Sequence, residues 1–269
     1  MKEPIENRII AISGEPVSGK GTTIKKMVEI LKEQGYSENN IHVISTGQIF
    51  RDFFELIIEY MKNVDNQEEL GKLKQDRMLR YLLDNPEYYE VLLNTISDVK
   101  GKGIDLNDSN KISELNNSPI FNDLRNVVDT LIDSSVKRMG EQINQQERKD
   151  EIWIFDSRIA FKNIPNAFSV RLTVDSKEAA KRLFNDTTRG EEDRYNSIEE
   201  AEIAREERRK GEIKRYKEGY GIDLEDEKNY NLILDATNID AEARANIILE
   251  KEKEYRQQRD KFINEGEDR

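Results

Sequence analysis

The 269-residue chain contains no cysteine. Disulfide staples, thiolate metal sites and a catalytic thiol are excluded together, and the absence suits a reducing compartment. A single histidine, His42, leaves no imidazole set for a metal and no Ser-His-Asp arrangement. Long apolar runs are missing too. The stretch Arg8 to Ser13, close behind Met1-Lys2-Glu3-Pro4, is too short and too interrupted for a signal peptide or a membrane span. The expectation is a cytoplasmic protein with no membrane partner. Positive charge is scarce: 43 Lys and Arg against 55 Asp and Glu give a formal charge of −12. That balance argues against a nucleic-acid partner, which needs a basic face.

What is present is enough for a core: 36% of residues are hydrophobic, beside 36% charged. Short β-branched runs at Arg8–Ser13, Ile41–Ser45, Ile152–Phe155 and Phe168–Val174, with a weaker one at Asn231–Leu234, read as buried strands of a parallel sheet. Ile24, Met27, Val28 and Leu31 mark one face of a helix stopping near Gly35, which makes a βαβ beginning. From Phe53 to Lys149 the pattern is helical and unbroken by a strand signal, so this stretch reads as a helical insertion. After Ile239 the tail reads as one long helix, with Tyr255 and Phe262 as sparse apolar anchors and fraying last turns.

The strongest chemical signal is Gly14-Glu15-Pro16-Val17-Ser18-Gly19-Lys20-Gly21-Thr22, directly between the first strand and the first helix. Glycines at such a junction let backbone N–H groups turn onto an anion, and a helix N-terminus adds partial positive charge. Lys20 supplies a mobile cation for the β- and γ-phosphates, and Thr22 a hydroxyl for phosphate or a Mg²⁺ shell. ATP is the expected ligand, touching Gly14, Ser18, Gly19, Lys20, Gly21, Thr22 and Thr23. The bland alternative is a glycine-rich turn.

Three further segments carry charge where such a ligand needs it. In Ser45-Thr46-Gly47-Gln48-Ile49-Phe50-Arg51, Thr46 can cap a helix, Gly47 admits a ligand and Arg51 lies one turn on; a capped helix with a surface arginine would look the same. Asp156-Ser157-Arg158 ends the third strand, where an acid can hold a Mg²⁺-water shell. Arg208, Glu212 and Arg215 share one face of a helix, although i, i+4 ion pairs on a solvated helix give the same spacing.

Taken together these segments resemble the nucleoside monophosphate kinases, and most closely the archaeal-type cytidylate kinases. The resemblance rests on Gly-Lys-Gly-Thr at 19–22, Ser-Thr-Gly-x-x-x-Arg at 45–51, Asp156-Ser157-Arg158-Ile159-Ala160, Lys214-Arg215-Tyr216-Lys217-Glu218-Gly-Tyr220-Gly221-Ile222-Asp223, and Asp235-Ala236-Thr237-Asn238. The Gly-Phe-Pro-Arg of adenylate kinases is absent, and Glu212 stands where the family has Asp. The resemblance spans about residues 8–54 and 150–245, with the segment from Asp108 to about Arg138 similar to the family's acceptor-binding helices; the extra helices at 55–100 have no counterpart in it.

The resemblance implies an α/β P-loop NTPase fold, three-layer α/β/α, with a five-stranded parallel sheet, a helical insertion and a lid. It implies transfer of the ATP γ-phosphoryl group to CMP or dCMP, with Mg²⁺. Lys20, Arg158, Arg208 and Arg215 would be catalytic; Thr46, Gly47, Arg51, Arg158 and Glu212 would bind the acceptor; Thr22 and Asp156 would hold the metal; Asn238 would lie near the adenine. Arg182, Arg189 and Arg194 are further candidates for the lid. The expected organisation is 1–54, the first part of the core; 55–149, the helical acceptor region; and 150–269, the second part with the lid at 182–215. Small nucleotides are the expected partners, with the protein a monomer or a homodimer formed through the insertion. A P-loop kinase of another small acceptor and a non-catalytic ATP-binding module remain as alternatives.

Overall fold

The computed structural model describes residues 8–108, 118–145, 150–186 and 194–267, with side chains described as far as residue 259. The chain forms two compact units, Met1–Ser45 with Met139–Arg269, and Thr46–Arg138.

The first unit is built on β1 (Arg8–Gly14), β2 (Ile41–Ser45), β3 (Ile152–Asp156), β4 (Phe168–Thr173) and β5 (Leu232–Asp235). All pair in parallel, in the order β2-β3-β1-β4-β5. β1 is buried along its whole length because it is central, flanked by β3 and β4, which is why its sequence is an unalternating apolar run. α1 (Lys20–Glu33) and the long α10 (Ala241–Glu267) turn Ile24, Met27 and Leu31, and Ala245, Ile248 and Leu249, onto the sheet residues Ile10, Ile12, Ile154, Val170 and Leu172. Short α7 (Ala160–Asn163), α8 (Ser176–Phe184) and α9 (Ile198–Tyr220) complete the described α-helices that lie wholly within this unit. The arrangement is α/β with an all-parallel five-stranded sheet, consistent with a three-layer α/β/α fold. Trp153 is not sealed in the core: it is partly exposed and stacks on His42 at 4.0 Å.

Far from the loop, at the opening of β1, Arg8 donates to Glu252 of α10 and to the Tyr36 hydroxyl. Arg8 is 7% and Glu252 1% exposed, so the C-terminal helix is pinned by a buried ion pair as well as by its apolar stripe.

The second unit is helical: α2 (Thr46–Lys62), α3 (Gln67–Leu73), α4 (Arg77–Asp84), α5 (Pro86–Gly101) and most of α6 (Asn122–Gln145). Asn66, Asp76 and Asn85 cap α3, α4 and α5 with side-chain oxygens, and Pro86 occupies a first-turn position of α5, so these polar residues and the proline mark helix starts. Phe53, Phe54, Ile57, Leu79, Leu82, Leu92, Phe121 and Leu124 are buried within it. Among the described residues it has no strand. The boundaries of the units lie at 45/46 and 138/139: α2 is one continuous helix from Thr46, and residues 139–145 of α6 fall in the first unit.

Candidate functional site

Parallel strands bring all five carboxyl ends to one edge of the sheet, and the order reverses about β1, where α/β proteins form a ligand crevice. The loop after β1 is tightly constrained there. A Cβ at Gly14 would lie 2.6 Å from the Leu172 carbonyl oxygen, and the next amide, Glu15 N–H, donates to that same oxygen at 3.1 Å. Val17 takes φ 65°, a left-handed conformation that a β-branched residue adopts only under constraint. Gly19 follows at φ 83° as the residue before α1, and no side chain caps the helix there. Ser18 is 1% exposed, and among the described residues its hydroxyl has no hydrogen-bond partner. Gly21 is different: a Cβ there would meet open space.

Lys20 folds back over the loop and donates from Nζ to the Gly14 carbonyl at 3.2 Å. Burial lowers its pKa from 10.5 to about 7, helped by Arg158 and Arg208 and opposed by Asp156 and Glu212. The structure therefore brings Lys20, Asp156, Arg158, Arg208 and Glu212, separated by up to 192 positions, into one electrostatic neighbourhood. Arg158 donates from Nη2 to Glu212 at 3.0 Å, while its Nη1 is buried with no partner among the described residues. Arg208 Nε lies 3.6 Å from the same Glu212 carboxylate but is 58% exposed. Asp156 receives the Ser45 hydroxyl at 3.4 Å. A cavity of about 30 Å³ lies alongside, with Gly14, Glu15, Arg158, Arg171, Arg209 and Glu212 in its wall.

Other candidates stand elsewhere. The hydroxyls of Thr22 and Thr23 both turn back onto the Gly19 carbonyl, at 2.8 and 2.9 Å, and Thr23 is fully buried. Arg215 is exposed, its guanidinium 5.1 Å over the Tyr216 ring. Asn238 is exposed in the loop after β5. Arg182 donates to the Ala236 and Thr237 carbonyls of that loop, both at 2.9 Å. Thr46, Gly47 and Arg51 belong to the helical unit, where Arg51 donates to Gln48 at 2.7 Å. Arg189, and the residues between 109 and 117 in the acceptor-like segment, lie outside the described residues.

Several residues with evident roles are not in the sequence reading. Arg244, 5% exposed on α10, donates to the Thr23 hydroxyl at 2.9 Å and the Ile239 carbonyl at 2.6 Å, joining the loop to the β5 end. Its pKa is lowered by burial and then by Arg182. Glu15 binds the α9 arginines Arg205 and Arg209, and Arg171 of β4. The signal for Arg205 was available: Ala201, Arg205, Arg209, Glu212 and Tyr216 form one helical row ending in an apolar residue at each side.

Among the described residues no group of three or more His, Asp or Glu side chains is placed to enclose a metal ion. No family model matches the chain. An S-adenosylmethionine-dependent nucleotide dehydratase of Lacinutrix mariniflava is 29% identical over 112 residues, which is 42% of this chain and 22% of that protein. The chain thus corresponds to about a fifth of that relative's length. Among solved structures, an uncharacterized protein from Eubacterium ventriosum aligns over 92% of this chain and 99% of its own at 13% identity, with a TM-score of 0.48. TT1252 from Thermus thermophilus aligns over 91% and 95% at 15% identity, with a TM-score of 0.38.

Proposed function

We propose that the protein is a P-loop phosphotransferase that moves the γ-phosphoryl group of ATP to a nucleoside monophosphate, CMP or dCMP. The observation that supports this reading is the convergence of Lys20, Arg158 and Arg208 beside a loop held in left-handed backbone at Val17 and Gly19, in front of a helix N-terminus that no side chain caps. Catalysis of phosphoryl transfer is chiefly positioning and electrostatic stabilisation, and cations on three separate elements provide both. In this reading the loop amides and Lys20 hold the triphosphate, and Arg158 and Arg208 neutralise charge on the transferring group. No histidine base is needed, since the acceptor phosphate is itself the nucleophile. Asp156 and Thr22 would hold Mg²⁺, which would supply charge neutralisation on phosphate oxygens. One carboxylate with a hydroxyl fits an ion that keeps most of its water. The Lacinutrix protein acts on a nucleotide by its name, which agrees in ligand class; its dehydration chemistry belongs to that protein.

The test is ADP release from ATP·Mg²⁺ with CMP, dCMP, UMP, AMP and non-nucleotide acceptors offered in turn. Stimulation by CMP or dCMP, lost in Lys20→Ala and Arg158→Ala variants that stay folded, is the expected result. Stimulation only by another acceptor would reassign the substrate. ATP binding with no stimulated turnover would leave an ATP-binding module, and near-native turnover in Lys20→Ala would remove the proposal.

A further inference from the structure

Glu15 is the first residue of the loop between β1 and α1, where a carboxylate repels the proposed ligand. Its side chain is turned instead toward α9. It accepts a hydrogen bond from Arg205 and lies 3.6 Å from Arg171 and 3.9 Å from Arg209. Arg205 is 2% exposed, the largest fully buried side chain of the described structure. It also donates to the Ser176 hydroxyl of α8 at 3.4 Å. Arg171 is held by β4, whose neighbour in register on β1 is Ser13, two residues before Glu15. Glu225, just after α9, takes Arg209 and lies 3.6 Å from Arg171, closing the network from the far side.

Seven residues along the same helix, about 10 Å further on, Glu212 meets Arg158 of the segment after β3. The core therefore offers α9 a negative group and then a positive one. The helix answers with Arg205 and Arg209, and then Glu212. Sliding the helix by one turn in one direction would set Ala201 against Glu15 and Arg208 against Arg158. In the other direction it would leave Arg158 facing Tyr216. Only the observed placement pairs both charges.

We infer that Glu15 is a positioning residue: by fixing α9 on the loop it sets where Arg208 and Glu212 stand relative to Lys20 and Arg158. The functional consequence rests on the phosphotransferase reading; the seating of α9 does not. Loss of the carboxylate takes from the buried Arg205 its hydrogen-bonded anion and its tie to the loop, leaving it the more distant Glu206 of its own helix, at 3.8 Å, and the Ser176 hydroxyl, while the loop amides and Lys20 that would hold the triphosphate are untouched.

The experiment measures amide hydrogen exchange along 198–220, ATP affinity and turnover in the full chain carrying Glu15→Gln, with Glu15→Asp as a variant that keeps the charge and the fold. In Glu15→Gln, exchange in α9 should rise about tenfold or more, as expected for a lost charge-assisted hydrogen bond. Protection of α1 and α10 should persist. Glu15→Asp should fall between it and the parent. Turnover should drop about tenfold while the ATP dissociation constant stays within about threefold. Unchanged α9 exchange in both variants overturns the inference. So does a loss of ATP affinity with α9 protection intact, because Glu15 would then act on the nucleotide directly. A parent protein that binds no ATP would sink the functional reading alone, and the exchange data would still decide the role of Glu15.

Discussion

Replacing Lys20 by Met should stabilise the empty protein, and the gain should depend on pH. The lysine ammonium is held where burial lowers its pKa from 10.5 to about 7. Each tenfold step in proton affinity is worth about 1.36 kcal/mol, so the fall sets an upper limit of about 5 kcal/mol against folding at low pH. The residue keeps some exposure, and solvent screening brings the expected figure to about 2–3 kcal/mol. The sign follows from linkage. Between about 7 and 10.5 the unfolded chain holds more protons at this position than the folded one, so stability rises with pH across that window. The penalty is full below about 7 and gone above 10.5. Lys20→Met removes it. Urea unfolding followed by Trp153, the one tryptophan and a residue of the same unit, should therefore show the variant more stable by about 2–3 kcal/mol at pH 6. The advantage should shrink steadily toward pH 10. An advantage that does not vary with pH, or none at pH 6, would refute the reasoning. The same variant should bind ATP far more weakly, because the cation that costs stability in the empty fold is the one proposed to meet the phosphates.

Gly14→Ala places a Cβ 2.6 Å from the Leu172 carbonyl and should lower stability by about 2–4 kcal/mol, read from the thermal midpoint; a native-like midpoint would mean that β4 yields easily. Val17→Gly removes a left-handed β-branched residue and should raise the urea midpoint by the equivalent of about 1 kcal/mol; a fall of that size would show that its side-chain packing outweighs the strain. Glu252→Ala strands the buried Arg8 guanidinium and should cost about 3–5 kcal/mol, with much of the loss recovered when Arg8→Met is added; strict additivity of the two losses in urea unfolding would deny the pairing.

The sheet was legible because a parallel strand covered on both faces writes itself as a short apolar run, as β1, β3 and β4 do. The edge strands β2 and β5 are not buried throughout, as the sequence suggested, but keep apolar runs, and all five fell within two residues at each end. The loop was legible because its conformation demands glycine at particular places: Gly14 where Leu172 crowds it, and Gly19 at φ 83°. The charged face of α9 divides into two adjacent rows. Helical spacing grouped Arg208, Glu212 and Arg215, while the inward row is Arg205, Arg209 and Glu212, with Arg208 and Arg215 exposed. Periodicity finds a face only when one face is apolar, and α9 is polar nearly all round, so the choice between adjacent rows falls to partners on other elements. Arg205 meets Glu15 across 190 positions of sequence, and nothing local announces that meeting. A charged residue inside an apolar strand run, Arg171, was the available hint that a carboxylate waited beside β4. Arg182 fell within the lid by sequence, yet its guanidinium is engaged by carbonyls after β5, because helix α8 ends beside that loop.

A chain of formal charge −12 thus concentrates arginines at one edge of its sheet and pairs them with a few shared carboxylates, Glu15, Glu212 and Glu225. Burial sorts these pairs into two kinds. Arg205 and Glu15, at 2% and 14% exposure, are too deep for an entering anion to part them without stranding a buried charge, so theirs is a structural bond. Arg158 and Glu212, at 18% and 17%, stand shallower; Glu212 is shared with an exposed Arg208, and Arg158 Nη1 has no hydrogen-bond partner among the described residues. On the proposed reading Glu212 stands where an entering phosphate would compete for Arg158. On the same reading a weakly charged anion should gain too little from these cations to displace a tethered carboxylate, whereas a polyphosphate meeting Lys20, Arg158 and Arg208 together should offset the exchange. Selectivity for multiply charged ligands would, on that reading, follow from the resident carboxylate as much as from the cations around it.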